Sequence, residues 1–322
     1  MNAMDGNDHI DNVRALLREH SITLKETIGK GSYSNVRLGY SIKMDQTIAV
    51  KVIDTSSNSE YVRRFLPREL NVVQQLNHAN IVRVFQVLRV DGMVLLVEEY
   101  GKNGDLLKKI KQKSRIPEIE AAHYFRQMIE ALEYLKVASI VHRDIKCENV
   151  FLDACDNVKL GDFGFARFLR GSESSSTFCG SKAYVAPEIL SGTAYTGFTV
   201  DAWSAGIVLY IMVTGVMPYD DRHPKKMLER MSTHRIRYPR SIETSPDVQT
   251  LIYEILHPTP ASRLTYPQMK NSRWLAYTDY TTRTEPFAPP STQMAIDGEG
   301  NKERGKGVVA PINKSSVSAR RH

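Results

Sequence analysis

Cysteine and tryptophan are scarce in this chain of 322 residues, with three of one and two of the other. Cys147, Cys155 and Cys179 form an odd set at no metal-ligand spacing, which excludes a disulfide framework and a zinc-ribbon pattern and predicts reduced thiols in a cytosolic protein. Long hydrophobic runs are missing as well. The longest, Ile207 to Val213, is about a third of what a membrane span needs. The opening residues are polar and acidic, so no secretory signal is expected. Charge of one sign is also in short supply: the formal net charge is +7, and the last 42 residues, with seven Lys and Arg against four Asp and Glu, carry much of it. That balance argues against a nucleic-acid binder. What remains, 42% hydrophobic and 25% charged residues, is the composition of an ordinary globular protein long enough to bury a large core.

Along the chain the pattern changes character once. Residues 1–22 are polar, with a short helix expected near Val13–Arg18. From Leu24 to about Asp54, apolar and polar residues alternate around glycines, which predicts three strands. A helix over 59–76 contains Pro67, so it either starts regularly there or kinks. Strands are expected at Val82–Val90 and Met93–Glu99, followed by a break at Gly101 and Gly104. Beyond it Ile119, Ala122, Phe125, Met128, Ile129, Leu132 and Leu135 recur at helical spacing, and Val200–Val213 is apolar nearly all round, as a fully buried helix would be. Shorter helices are expected near 225–233 and 247–256. From about Thr278 periodicity is lost, which predicts a disordered tail. A strand-rich front and a helix-rich back imply two lobes with a cleft between them.

Three segments carry chemistry. Gly29-Lys30-Gly31-Ser32-Tyr33-Ser34-Asn35-Val36 places two glycines where backbone could approach phosphate oxygens, although a plain hairpin turn reads the same way. The residues after it alternate as a strand, which argues against a dinucleotide fold, where a helix would follow. Ile48-Ala49-Val50-Lys51 then sets one cation in an apolar strand, with Glu69 on the next helix as an ion-pair partner. The third segment, Val141-His142-Arg143-Asp144-Ile145-Lys146-Cys147-Glu148-Asn149, is followed by Asp162-Phe163-Gly164 and by Ala186-Pro187-Glu188. In order and spacing this set resembles the eukaryotic protein kinases over roughly residues 24–275. Phe65-Leu66-Pro67-Arg68-Glu69, Thr177-Phe178-Cys179-Gly180-Ser181 and the Met217-Pro218-Tyr219-Asp220-Asp221 run are similar to the testis-specific serine kinases, in the calcium/calmodulin-dependent kinase group.

The resemblance implies an α+β bilobal fold, with a small antiparallel-sheet N-lobe bearing one main helix (about 24–100) and a large, mostly helical C-lobe (about 101–275). Residues 1–23 would be an extension and 276–322 a disordered basic tail. It implies ATP-dependent transfer of phosphate to Ser or Thr of protein substrates, with Mg²⁺, in a cytoplasmic protein of male germ cells. Asp144 would be the base and Lys146 would sit by the γ-phosphate; a Lys two residues after the base marks Ser/Thr specificity in the family. Asn149 and Asp162 would hold Mg²⁺. Nucleotide contacts would come from Ile28, Gly29, Lys30, Gly31, Ser32, Tyr33, Ser34, Val36, Ala49, Lys51, Glu69, Glu99 and Asp105. Ser181 would contact the base, and Glu148, with Asp105, would favour substrates with an upstream Arg. Arg143, with Arg167, would clamp a phosphate on Thr177 placed by an upstream kinase or by autophosphorylation, among the loop serines Ser172, Ser174, Ser175 and Ser176. Asp201 would hold catalytic-loop backbone, and Glu188 with Arg263 would form a structural salt bridge.

Two residues depart from the family pattern. Ser34 replaces the third loop glycine, and Glu98 stands at the back of the adenine site where an apolar residue is usual. A buried carboxylate there is costly unless paired or protonated, so Glu98 is expected to find Lys51, in competition with Glu69, or another donor, and to weaken or retune ATP binding. Two other function classes stay open on the sequence: a scaffold that binds partners without phosphoryl transfer, and binding to nucleic acid or an anionic membrane through Lys108, Lys109, Lys111, Lys113 and Arg115. A solvated helix face is the simpler reading of that run, and neither nucleic acid nor membrane is the expected partner.

Overall fold

The computed structural model describes residues 5–31, 33–56, 59–169, 180–195 and 197–284, with the side chains of residues 5–10 left aside. The front of the chain forms a five-stranded antiparallel sheet in the order β1-β2-β3-β5-β4. Its strands are β1 (Ile22–Lys30), β2 (Ser34–Ser41), β3 (Gln46–Asp54), β4 (Val84–Val90) and β5 (Met93–Glu99). The three expected front strands and the two later ones all form within a few residues of their predicted limits. Alternation fixes the register: Val36 lies opposite Lys51 and Leu38 opposite Ala49, while Ala49 and Lys51 lie opposite Glu98 and Leu96 on β5. One face of the sheet therefore carries Val36, Ala49, Lys51 and Glu98 toward the cleft.

The other face is covered by α1 (Asp5–Glu19), which is much longer than the short helix expected. Val13 and Leu17 pack against Ile22, Ile48, Val50, Leu95 and Val97, and Asn12 Nδ2 donates to Asp91 Oδ2 at 2.5 Å. The polar composition of the segment conceals a narrow apolar stripe that suffices to cap the sheet. The segment expected to be an extension is thus part of the upper lobe's core.

Between β3 and β4, residues Tyr61–Phe65 form a π-helical turn that leads into α2 (Leu66–Val73), with Pro67 in the first α-helical turn. Proline has no N–H to offer the preceding turn, and the wider turn accommodates it. The regular helix starts at the proline, the first of the two sequence alternatives. Leu66 and Leu70 pack with Ile53, Val94 and Leu96 beneath the sheet.

The back lobe is mostly helical. It contains α3 (Leu106–Lys113), α4 (Glu118–Val137), β6 (Ile140–Val141), β7 (Val150–Leu152), β8 (Val158–Leu160), β9 (Arg167–Phe168), α5 (Pro187–Leu190), α6 (Gly197–Thr214), α7 (Pro224–Ser232), α8 (Pro246–Ile255) and α9 (Tyr266–Lys270). Helix α6 is long and apolar enough to cross a membrane, yet 83% of it is buried inside the protein, so it is a core helix. Ile119, counted on the apolar face of α4, is 75% exposed, whereas the other members of that series are buried. Arg263 clasps Glu188 through two 2.6 Å bonds, the expected buried salt bridge.

The lysine run on α3 is not a free face. Lys109 Nζ lies 3.1 Å from Glu120 and 2.9 Å from Asp156, and Lys113 Nζ lies 2.9 Å from the same buried Glu120. Burial would raise the Glu120 carboxyl, but the bonds from Tyr124 and the two lysines outweigh it and hold the group below the usual carboxylate range. The run is thus partly spent on internal neutralisation. The first residues of the expected tail are also bound to the lobe. Tyr280 donates to Asn80, Gln127 donates to the Thr281 carbonyl, and Asn157 exchanges two hydrogen bonds with the backbone of Arg283. The remainder of the tail lies outside the described residues.

Leu17 is 1% exposed, so Leu17→Ala should cost about 2–4 kcal/mol of stability by denaturant melts. A change below about 0.5 kcal/mol would show that α1 is not part of the core.

Candidate active site

The cleft gathers residues from both lobes around one ammonium. Lys51 Nζ lies 2.7 Å from Glu69 Oε1 and 3.3 Å from Asp162 Oδ1. Burial alone would lower the Lys51 pKa, but Glu69 and Asp162 hold it well above its ordinary value, so the group stays charged. Asp162 is likewise pushed up by burial and pulled down more strongly by Lys51, His142 and Lys146, which leaves it an anion. Its side chain is 44% exposed and its backbone has φ +56°, a left-handed conformation that turns the carboxylate into the cleft. Phe163 packs against the buried His142 ring, with centroids 4.7 Å apart, and fixes that orientation from below.

The loop after β6 is held from beneath by Asp201 on α6. Its two carboxylate oxygens accept from the backbone N–H groups of His142 and Arg143, both at 2.8 Å. This buried acceptor stabilises Arg143 at φ +66° and bears out the scaffolding expected of Asp201. The same turn presents Asp144 upward. Lys146 Nζ is 2.7 Å from Asp144 Oδ2, and Asn149 Nδ2 donates to the Asp144 carbonyl at 2.8 Å and to Oδ2 at 3.1 Å. The Ser181 N–H and hydroxyl both reach Asp144 Oδ1, at 3.1 and 3.2 Å, and Lys146 also reaches the Ser181 hydroxyl at 3.3 Å. Asn149 spends its N–H groups here, so its amide oxygen is left for another partner. The Gly161 N–H donates to the Asn149 carbonyl at 2.9 Å, which sets Asp162 beside it.

The roof comes from the β1–β2 hairpin, with Ile28, Gly29 and Lys30 at the end of β1 and Ser34 and Val36 at the start of β2. The Gly31 N–H donates to the Ser34 carbonyl at 2.7 Å, and a Cβ on Gly31 would stand only 3.0 Å from Ser34 Oγ. Any side chain at Gly31 would therefore require the Ser34 hydroxyl to give way. Ser32 lies outside the described residues.

Other candidates have different surroundings from those the sequence suggested. The Glu99 carboxylate turns away from the cleft to Lys159, at 2.6 Å, and to the Arg83 N–H; its own N–H bonds the Arg83 carbonyl. The Glu99 side chain is thus committed outside the cleft. Asp105 caps α3 by accepting from the Lys108 N–H at 2.8 Å. Glu148 accepts from the Tyr184 hydroxyl at 3.3 Å. Arg143 donates through Nε to the Phe165 carbonyl, and its Nη2 is buried with no partner among the described residues. Arg167 pairs with Val141 across the β6–β9 ladder. Thr177, Cys179 and the loop serines from Ser172 to Ser176 lie outside the described residues. Burial pushes the Cys147 thiol up to about 12, which makes it unreactive.

Glu98 does not take Lys51 from Glu69: its side chain makes no hydrogen bond or ion pair with the described residues. Burial raises its pKa from 4.5 to about 7, with the Lys51 charge holding it from rising further. A residue that sequence reasoning missed, Tyr61 on the π-helical turn, donates its hydroxyl to Glu69 Oε2 at 2.7 Å. No sequence signal marks it, because its alignment with Glu69 depends on the π-helical turn.

A strand lysine paired to a helix carboxylate, a buried aspartate flanked by Lys and Asn, and a second aspartate turned into the cleft form one ordered constellation. A family model described as the protein kinase domain matches residues 22–275. The chain belongs to the protein kinase family. Its relatives include testis-specific serine/threonine-protein kinase 2 of Mus musculus, 40% identical over 293 residues that cover 89% of this chain and 80% of that protein. Testis-specific serine/threonine-protein kinase 3 of Homo sapiens is 40% identical over 266 residues, 81% of this chain and 98% of that protein. Testis-specific serine/threonine-protein kinase 1 of Homo sapiens is 38% identical over 298 residues, 90% of this chain and 79% of that protein.

The raised pKa of Glu98 gives a stability signature. Between about 4.5 and about 7 the folded kinase holds a proton on Glu98 that the unfolded chain has released, so stability falls as pH rises through that window. Melting temperatures of the wild type and Glu98→Gln should diverge against the wild type from pH 4.5 to 7 and run parallel above it. Parallel profiles throughout would show that Glu98 is not perturbed.

Proposed function

We propose that this kinase transfers the γ-phosphate of ATP to Ser or Thr hydroxyls of protein substrates, as a cytoplasmic enzyme of male germ cells. The observation that carries the reading is Asp144, whose two oxygens are held by Lys146, Asn149 and Ser181 at 2.7 to 3.2 Å beneath the hairpin roof. A phosphoryl group in transfer carries dispersed negative charge, so catalysis consists of positioning and charge neutralisation. Asp144 would orient the substrate hydroxyl and accept its proton. Lys146, already between Asp144 and Ser181, would neutralise charge at the γ-phosphate. Lys51 would grip the α- and β-phosphates, held there by Glu69.

The oxygen donors fit Mg²⁺: the uncommitted Asn149 amide oxygen and the exposed Asp162 carboxylate are the hard ligands this ion prefers. When bound, it would offset phosphate charge. The hairpin backbone from Ile28 to Val36 would cover the phosphates, with Ala49 and the Glu99 carbonyl at the base.

The names of the relatives support Ser/Thr transfer and a testis role. Asp105 and Glu148 each keep an oxygen that an upstream substrate Arg could meet. The buried Arg143 Nη2, without a partner among the described residues, together with Arg167, supports control by a phosphate on Thr177. A scaffold without transfer is less well supported, because Lys51, Glu69, Asp144, Asn149 and Asp162 are all present and the two ion pairs are formed.

Transfer of labelled phosphate from Mg-ATP to an Arg-x-x-Ser peptide and to a generic basic protein tests the reading. Asp144→Asn should lower the rate by about 10²-fold or more. Transfer that persists at the wild-type rate in the variant would remove Asp144 as the base. No transfer by the folded wild type, even with Thr177 phosphorylated, would favour the scaffold.

A further inference from the structure

Lys51 meets two carboxylates directly and shares the cleft face of the sheet with a third acidic residue. Glu69 and Asp162 lie at 2.7 and 3.3 Å, and Glu98 contributes a third acidic group to the same field. Glu98 lies on β5 diagonally across from Lys51, beside Leu96 on the cleft face, within reach of a long side chain, so the pair that forms depends on which glutamate is fixed in place. Glu69 is the one fixed at both oxygens. Lys51 holds Oε1, and the Tyr61 hydroxyl holds Oε2 at 2.7 Å. Glu69 is 1% exposed, so no water supplies that second bond cheaply.

The backbone explains how Tyr61 reaches it. Residues 61 and 69 are eight apart, and in a continuous α-helix they would diverge by about 80° around the axis. The π-helical turn at Tyr61–Phe65 winds less per residue and brings both onto one face. Two further contacts aim the ring. It stacks on Tyr33 of the hairpin tip, with centroids 4.9 Å apart and planes 10° from parallel. Its edge also lies over Gly164, where a Cβ would stand 3.8 Å from the Tyr61 ring and 3.6 Å from Glu69 Oε2. Burial raises the Tyr61 pKa strongly, so the hydroxyl remains a neutral donor.

We propose that Tyr61 is a positioning residue of the catalytic ion pair, whose hydroxyl reserves Glu69 for Lys51 against the competing carboxyl of Glu98. The inference rests on the proposed phosphoryl transfer, in which Lys51 grips the nucleotide. It joins three features of this chain that otherwise stand apart: the proline-induced π turn, the aromatic hairpin tip and the acidic residue behind the adenine site.

The test is a double-mutant cycle in the full chain, with kcat and KM for Mg-ATP measured on a basic peptide. Tyr61→Phe keeps the ring and its stack and removes only the hydroxyl. In the wild-type background it should lower kcat/KM for ATP about five-fold or more. In the Glu98→Met background, and in Glu98→Gln as a second, the same substitution should cost less than two-fold, because the competitor is gone. A merely structural tyrosine would lose equally in every background. The same variants are titrated with Mg-ATP in the absence of peptide, so the coupling is also read from dissociation constants if the chain transfers no phosphate. A loss under two-fold in the wild-type background, or equal losses in all backgrounds, would overturn the proposal.

Discussion

The ammonium of Lys51 is the point on which the working arrangement of the cleft depends. A desolvated cation is unstable unless acids surround it, and the two that meet Lys51 come from different parts of the molecule. Glu69 belongs to the helix packed under the upper sheet, and Asp162 to the loop leaving the lower lobe. Satisfying one cation therefore fixes strand β3, helix α2 and the Asp162 turn relative to one another. Below, the Asp201 carboxylate does the corresponding work on the catalytic loop, accepting two backbone N–H groups and holding Arg143 in a left-handed conformation. With these two anchors in place, Asp144, Lys146 and Asn149 are positioned by short-range bonds alone.

Much of this was legible in the sequence, because ordered motifs carry both chemistry and spacing. The alternation through β2 and β3 put Lys51 on the cleft face, and the run after Val141 gave Asp144, Lys146 and Asn149 with their partner Ser181. The Glu188–Arg263 clasp and the role of Asp201 were also expected. What escaped depended on three-dimensional partners. The stripe of Val13 and Leu17 is too narrow to stand out from a polar segment, yet a sheet face needs little more to be covered. The α3 lysines looked solvated until α4 placed Glu120 beneath them. Glu99 is bracketed by acidic and apolar neighbours that say nothing of Lys159, which approaches from β8. Tyr61 was hidden because helical periodicity assumes a constant turn, and Pro67 changes the turn.

Glu98 shows how one residue can alter a site without touching its principal atoms. Among the described residues it forms no ion pair, and Lys51 remains with Glu69 and Asp162. Burial raises its pKa to about 7, so part of its charge is lost near neutral pH. The chain thus keeps the family's ion pair in the presence of an extra acid, with the Tyr61 hydroxyl on the second oxygen of Glu69.

The most direct measurement is an experimental structure of the full chain with Mg²⁺ and a non-hydrolysable ATP analogue. The account predicts Lys51 still bonded to Glu69 while it grips the phosphates, Asn149 and Asp162 on the metal, and Asp144 facing the γ-phosphate. Lys51 paired with Glu98, or a nucleotide bound without contact to Lys51, Asn149 and Asp162, would contradict it.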